Sequence, residues 1–192
     1  MNALRVHSPV PAAAKAATTN DGFTALDACH RETLAMLDEL SALVTKVESD
    51  GADAASRASA AKIAAYFATV PRQHHEDEER HVFPQLATGG DPETVQAVLR
   101  LQQDHDWLEE DWFELAPHVQ AIATGILSCD IDVLREGVAV LSALYRDHME
   151  LEESLLYPQA RAQMPAVQRR EMGREMAARR RAGRPARRAR GG

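Results

Sequence analysis

Residues 74–84 read HHEDEERHVFP, and residues 148–158 read HMELEESLLYP. Both stretches carry His-x-x-x-Glu-Glu, four more residues, and then a proline preceded by an aromatic. Histidines and carboxylates here run straight into apolar residues, Val82, Phe83 and Leu86 in the first copy and Leu155 and Leu156 in the second. Spacing i, i+4 stacks His74 over Glu78 and His148 over Glu152 on one face of a helix. The question is what makes such residues worth placing on an inward face.

Outward from these copies, the rest of the chain reads as helix. Four stretches show the three-and-four spacing of an amphipathic helix, and none shows the alternation of an exposed strand. The first runs from about Phe23 to Val47, with Leu26, His30, Thr33, Leu37, Leu40 and Val44 on one stripe. A second, read as one continuous helix from about Ser56 to Leu86, carries Ile63, Phe67, Val70, His74 and Glu78. After the turn ATGGDPE, Asp91 and Pro92 suit a cap and a first-turn residue. The third helix then carries Val98, Leu101, His105, Leu108 and Trp112, with Pro117 expected to bend or end it. The fourth starts near Asp130 and carries Leu134, Val138, Leu141, Leu144, His148, Glu152 and Leu155.

Each stripe therefore contains a histidine, and two contain a glutamate. The single histidines precede the repeated motifs at nearly equal distance, His30 before His74 and His105 before His148. The pattern is that of two helix pairs related by a pseudo-twofold axis, which gives an all-α, up-down-up-down four-helix bundle. A buried carboxylate is costly unless it is paired or bound to a cation, and these stripes carry no lysine or arginine. Imidazole with carboxylate suits iron, manganese or zinc and not the thiolate-rich sites of copper. Two carboxylates from opposing helices can each span two ions, with two histidines on each ion: a dinuclear site in a bundle.

Composition sets the frame. At 192 residues and 21.1 kDa the chain suits one domain with a core of its own. Cys29 and Cys129 stand far apart, so a disulfide framework is not expected and a reducing, cytoplasmic setting is. No apolar run approaches the ~20 residues that span a bilayer, and no membrane partner is expected. The net charge of −7 divides unevenly: residues 161–192 hold eleven arginines against Glu171 and Glu175, a balance of +9, leaving −16 for the remainder. Residues 1–21 read as a disordered segment, 22–160 as the metal-binding domain, and 161–192 as an Arg-rich tail. Within that tail, Pro165, Met172 and Met176 suggest a short basic helix returning against the acidic bundle, followed by a disordered end. It lacks the interleaved aromatics of a base-stacking surface, so nucleic acid is not expected as a partner.

The segments HRETLAMLDEL, HHEDEERHVFPQL, QQDHDWLEE and HMELEESLLYP together resemble the hemerythrin-like, HHE cation-binding family over about residues 22–160. Carried onto this sequence, the resemblance implies two non-haem iron ions with an oxo or hydroxo bridge, held by His30, His74, Glu78, His105, His148 and Glu152. The oxygen-carrying members use five histidines and two bridging carboxylates; four histidines and two glutamates leave a further position for solvent or a ligand. The set also resembles that of di-iron proteins that repair iron-sulfur clusters, whose N-terminal cysteine-rich segment has no counterpart here. The implied function is the binding or sensing of oxygen, nitric oxide or peroxide, or iron handling. The alternatives are a di-iron enzyme removing peroxide or acting in cluster repair, and a regulatory adaptor stapled by metal.

Several residues have competing readings. Superposing the prolines of the two copies selects His74 with Glu78 over His75 with Glu79, and leaves His75 on an outer face. His81 aligns with Leu155 and reads as a fifth histidine near the metals, a donor behind the ligands, or an exposed residue at a helix end. Cys29 points about 100° away from His30 and reads as a packed residue, as do Trp107, Trp112 and Tyr145. His7 and His118 have no evident partner.

Overall fold

The computed structural model describes residues 21–126 and 130–182. The expected disorder of the N-terminal segment with His7, the residue Cys129, and the Arg-Gly-Ala end after 182 lie outside the described residues. Within them, no strand occurs and the architecture is all-α.

Helix α1 spans Gly22–Asp50, α2 Ala54–Phe67, α3 Val70–His81, α4 Phe83–Gly89, α5 Pro92–Thr124, α6 Ile131–Leu151, α7 Tyr157–Gln163 and α8 Ala166–Ala182. A five-residue π-helical turn, Glu152–Leu156, joins α6 to α7. Four helices begin on an aspartate whose side chain accepts a backbone N–H: Asp21 from Phe23, Asp53 from Ser56, Asp91 from Thr94 and Asp130 from Val133. Each cap satisfies a donor that the first turn leaves without an intrahelical partner. The expected cap at Asp91 is thus present.

One expectation for the helices needs correction, and of the two outcomes expected at Pro117 one is excluded. The stretch read as one helix from Ser56 to Leu86 is three segments, broken at Ala68–Thr69 and at Val82. Each break lies just before a proline, Pro71 and Pro84, whose ring removes an N–H and crowds the preceding turn. Pro117, conversely, does not end α5, which continues to Thr124 and closes on Gly125 in the left-handed region.

The bundle is a ring of contacts, α1 with α2 and α6, and α5 with α2 and α6. Its core is divided. One apolar cluster gathers Leu37, Leu40, Ile63, Phe67, Leu115 and Leu141, and the other Phe23, Leu26, Phe83, Leu101, Leu156 and Tyr157. Along α1 and α5 the chain passes from the second cluster to the first; along α2–α3 and α6 it passes back. All four paths cross the same layer between the clusters, and that layer is where the histidines lie.

Helix α8 closes the end of the bundle nearest the second cluster. Met172 and Met176 are buried in that cluster beside Phe23 and Leu26. Gly22 permits the approach, because a Cβ there would sit 2.4 Å from Met172 Cγ. On its polar side, Arg179 and Arg180 both reach Asp77, which is 2% exposed, while Arg179 also pairs with Glu175 at 2.6 Å. The expected returning helix is therefore a docked one, and among its arginines at least these two serve an internal contact.

A candidate metal centre between the two apolar clusters

The local sequence explains why the site residues converge. His30 comes from α1, His74 and Glu78 from α3, His105 from α5, His148 from the last turn of α6, and Glu152 from the π turn. All six residues are between 0% and 3% exposed. In each motif the helix is irregular between the glutamate and the proline, at Val82 in one copy and in the π turn of the other. Pro84 and Pro158 offer no N–H to the carbonyl four residues back, which favours such a departure.

The ligand atoms form two overlapping groups. His74 Nε2 lies 3.2 Å from Glu78 Oε1 and 2.9 Å from His30 Nε2, which lies 3.2 Å from Glu152 Oε2. On the other side, His105 Nε2 lies 3.4 Å from Glu78 Oε2 and His148 Nε2 lies 3.2 Å from Glu152 Oε1. Each glutamate thus turns one oxygen to one histidine pair and its second oxygen to the other. Ligand atoms around one cation with bonds of ~2.1 Å sit ~3 Å apart when adjacent, which is the spacing found here.

Several of these atoms have no hydrogen-bond partner among the described residues: Glu78 Oε2, both Glu152 oxygens, and Nε2 of His105 and of His148. Buried carboxylate oxygens without donors are expensive, and no lysine or arginine reaches them. Protons on the histidines partly answer the charge. Burial works against a charged His74, but Glu78 foremost and then Cys29 outweigh it and raise its pKa well above the ordinary value. For His148, burial is likewise outweighed, by Glu152 and Asp104, and the pKa is pushed up to about 9. Glu78 is held well below the carboxylate range, since His74 and His105 outweigh its burial. A site that draws protons onto histidines in this way suits a cation in their place.

Behind the ligand atoms stand residues that orient them. Nδ1 of His30 contacts Glu153 at 2.8 Å and Nδ1 of His105 contacts Glu79 at 2.9 Å. This gives the second glutamate of each His-x-x-x-Glu-Glu a part to play: it fixes which nitrogen of the facing histidine is left to look inward. The aromatic before each proline stacks on that same histidine, Phe83 on His105 at 5.5 Å and Tyr157 on His30 at 5.4 Å. Phe83 and Tyr157 break the symmetry. The Tyr157 hydroxyl donates to Glu78 Oε1 and lies 3.2 Å from His30 Nε2, so one side of the centre has a proton donor that the other lacks. Sequence reasoning noted an aromatic at this place in the repeat without seeing that its hydroxyl enters the site.

Residues 21–160 match the family model described as Hemerythrin HHE cation binding domain. The chain belongs to the hemerythrin HHE cation-binding family. It is also similar to an uncharacterized protein of Haemophilus influenzae, with 30% identity over 164 residues that cover 85% of this chain and 92% of that one. Among the described residues no helix is long and apolar enough to cross a membrane.

Other histidines of this HHE domain depart from their expected places. His75 is not on an outer face: it is 3% exposed and forms a third group with His105 and His148. The expectation rested on the register of the repeat and on adjacent helical residues pointing about 100° apart, yet the second direction also leads inward, where His75 meets His105 of α5 and His148 of α6. His75 stacks on His105 with centroids 3.9 Å apart and planes 6° from parallel. Imidazole lone pairs lie in the ring plane, so two rings stacked like this cannot both aim at one ion. Burial foremost, then His105 and His74, depress the His75 pKa well below its usual value and keep the ring neutral. His81 is drawn away from the centre, to Glu175 of α8 at 2.6 Å. Cys29 is buried but joins none of the ligand groups. Trp107, expected in the core, is half exposed, whereas Trp112 packs on Phe67 at 4.8 Å and Tyr145 is 3% exposed.

Proposed function

We propose that this domain holds two iron ions, with an oxo or hydroxo bridge, as the binding centre for a small ligand of the class of oxygen, nitric oxide or peroxide. His30 and His74 would hold one ion, His105 and His148 the other, and Glu78 and Glu152 would span both. One observation carries the reading: each buried glutamate presents its two oxygens to histidines of different pairs. Bound iron supplies open coordination positions and redox chemistry. The chain's own part is to hold the imidazoles through Glu79 and Glu153, to exclude bulk water with the two apolar clusters, and to keep a proton at Tyr157. The metal-binding unit is residues 22–160, with 161–192 as an appended basic segment, and the isolated cysteines favour a cytoplasmic setting.

A second reading, turnover of peroxide, is favoured by the Tyr157 hydroxyl at the ligand atoms, since a proton donor there could serve an O–O bond being cleaved. Anaerobic titration with ferrous iron, followed by exposure to oxygen, nitric oxide and peroxide, tests both. A stable new absorption band with one of the three supports binding, and sustained peroxide consumption supports the enzyme. A loaded protein indifferent to all three would leave only a metal that staples the fold.

A further inference from the structure

A cavity of about 190 Å³ opens on the side of the bundle where the end of α2 and the start of α3 face α5 and α6. Its walls are apolar, with Phe67, Pro71, Leu108 and Trp112 among them, and Phe113 stands at its edge, 80% exposed. Arg72 and Glu109 also border it. Besides these two charged residues at the border, two polar side chains enter the lining. One is Tyr145, whose hydroxyl takes no hydrogen bond among the described residues. The other is His75, whose Nδ1 is buried without a partner. His75 is also the ring stacked on His105, so a single imidazole separates this cavity from the candidate centre. No hydrogen bond of its Nδ1 holds that imidazole in place.

We infer that this cavity is the site where a small uncharged molecule is held on its way to the metal centre, with Tyr145 and His75 as its polar contacts; the destination rests on the iron reading above. Size and lining select the occupant. An apolar-walled cavity of roughly this volume favours small apolar solutes, and its two charged residues, Arg72 and Glu109, are exposed at the border and opposite in sign. Another opening, next to Glu153 and Tyr157, is lined by Asp27, Arg31 and Arg161, and water and ions are at no disadvantage there. Nitric oxide and dioxygen partition in the opposite sense, into the aromatic-walled side. Turning of the His75 ring off His105 would open the last step, and the stacking contact is what opposes it.

The test uses the full chain with xenon and with nitric oxide. Xenon titrated into the metal-free protein should shift the Trp112 indole resonance and the amide of Ala116. Ala116→Phe, which fills the cavity from α5, should remove those shifts. In the iron-loaded protein the same substitution should slow nitric oxide association at least tenfold while iron content stays at the wild-type level. Ala68→Phe fills it from the opposite wall and serves where the first variant does not fold. Wild-type association rates in a folded, iron-loaded variant would overturn the inference, as would xenon shifts that cluster away from Trp112. A wild-type chain that takes up no iron would sink the iron reading instead, and the xenon result would then decide the cavity on its own.

Discussion

The imidazole of His30 donates from Nδ1 to the Glu153 carboxylate at 2.8 Å, and His105 stands in the same relation to Glu79 at 2.9 Å. Neither glutamate is a proposed ligand, and both side chains are about half exposed. Their effect on the centre runs through the histidine they hold. Replacing either by alanine should leave two ions per chain at saturation but weaken metal affinity about 10–100-fold, the usual cost of losing such a contact. Competition against a chelator measures this. An unchanged affinity in both variants would mean that the pairs are surface contacts only.

The neighbouring histidines of α3 should part company. His74→Ala removes a proposed ligand and should lower metal content and shift or abolish the absorption of the oxidised centre. His75→Ala should leave metal content at the wild-type level, because its ring is stacked parallel on His105 and cannot share that ring's ion. It is buried, however, so a stability cost of about 1–3 kcal/mol is expected where a surface position would cost far less. Denaturant unfolding with metal analysis separates the two effects. Loss of metal from His75→Ala alone would move the site one residue along α3.

This pair also shows how far the sequence reaches. The helical stripes and the aspartate cap at Asp91 were legible because each rests on spacing within one helix, while the six ligand candidates came from the repeat between helices together with the family resemblance. What spacing cannot give is the surroundings of a helix. His75 points away from His74, and only the placement of α5 and α6 makes that second direction an interior one. His81 could not be placed because its partner Glu175 lies 94 residues away on α8. The second helix divides into three ahead of Pro71 and Pro84, although its stripe of Ile63, Phe67, Val70, His74 and Glu78 runs in register across the first of them.

Tyr157→Phe removes one oxygen and keeps the ring that stacks on His30 and meets Phe23 edge to face. Metal content should stay at the wild-type level. Affinity of the loaded protein for azide, a stand-in for a small anionic ligand, should fall about tenfold, in line with ~1.5 kcal/mol for a hydrogen bond to a charged group. Titration followed by absorption reads this directly. Identical azide affinities would confine Tyr157 to packing.

Helix α8 should matter to stability. Truncation after Met164 removes both guanidinium groups from Asp77 and uncovers Phe23 and Leu26. Breaking the ion pair by itself, through Arg179→Ala with Arg180→Ala, should cost about 1–3 kcal/mol, less than a fully buried pair because both arginines keep some exposure. Adding Asp77→Asn should recover part of that loss, since it removes the stranded charge. Urea unfolding of the three variants is the check, and a double-arginine variant as stable as wild type would show that α8 docks through its methionines alone.

The central claim is a pair of ions spanned by two carboxylates, and X-ray absorption spectroscopy of the anaerobically iron-loaded, then oxidised, full chain tests it most directly when combined with metal analysis. We expect two iron ions per chain and an iron–iron vector at about 3–4 Å, both lost in Glu78→Ala and in Glu152→Ala. A single iron per chain with no iron–iron vector, or unchanged metal content in both variants, would contradict the account.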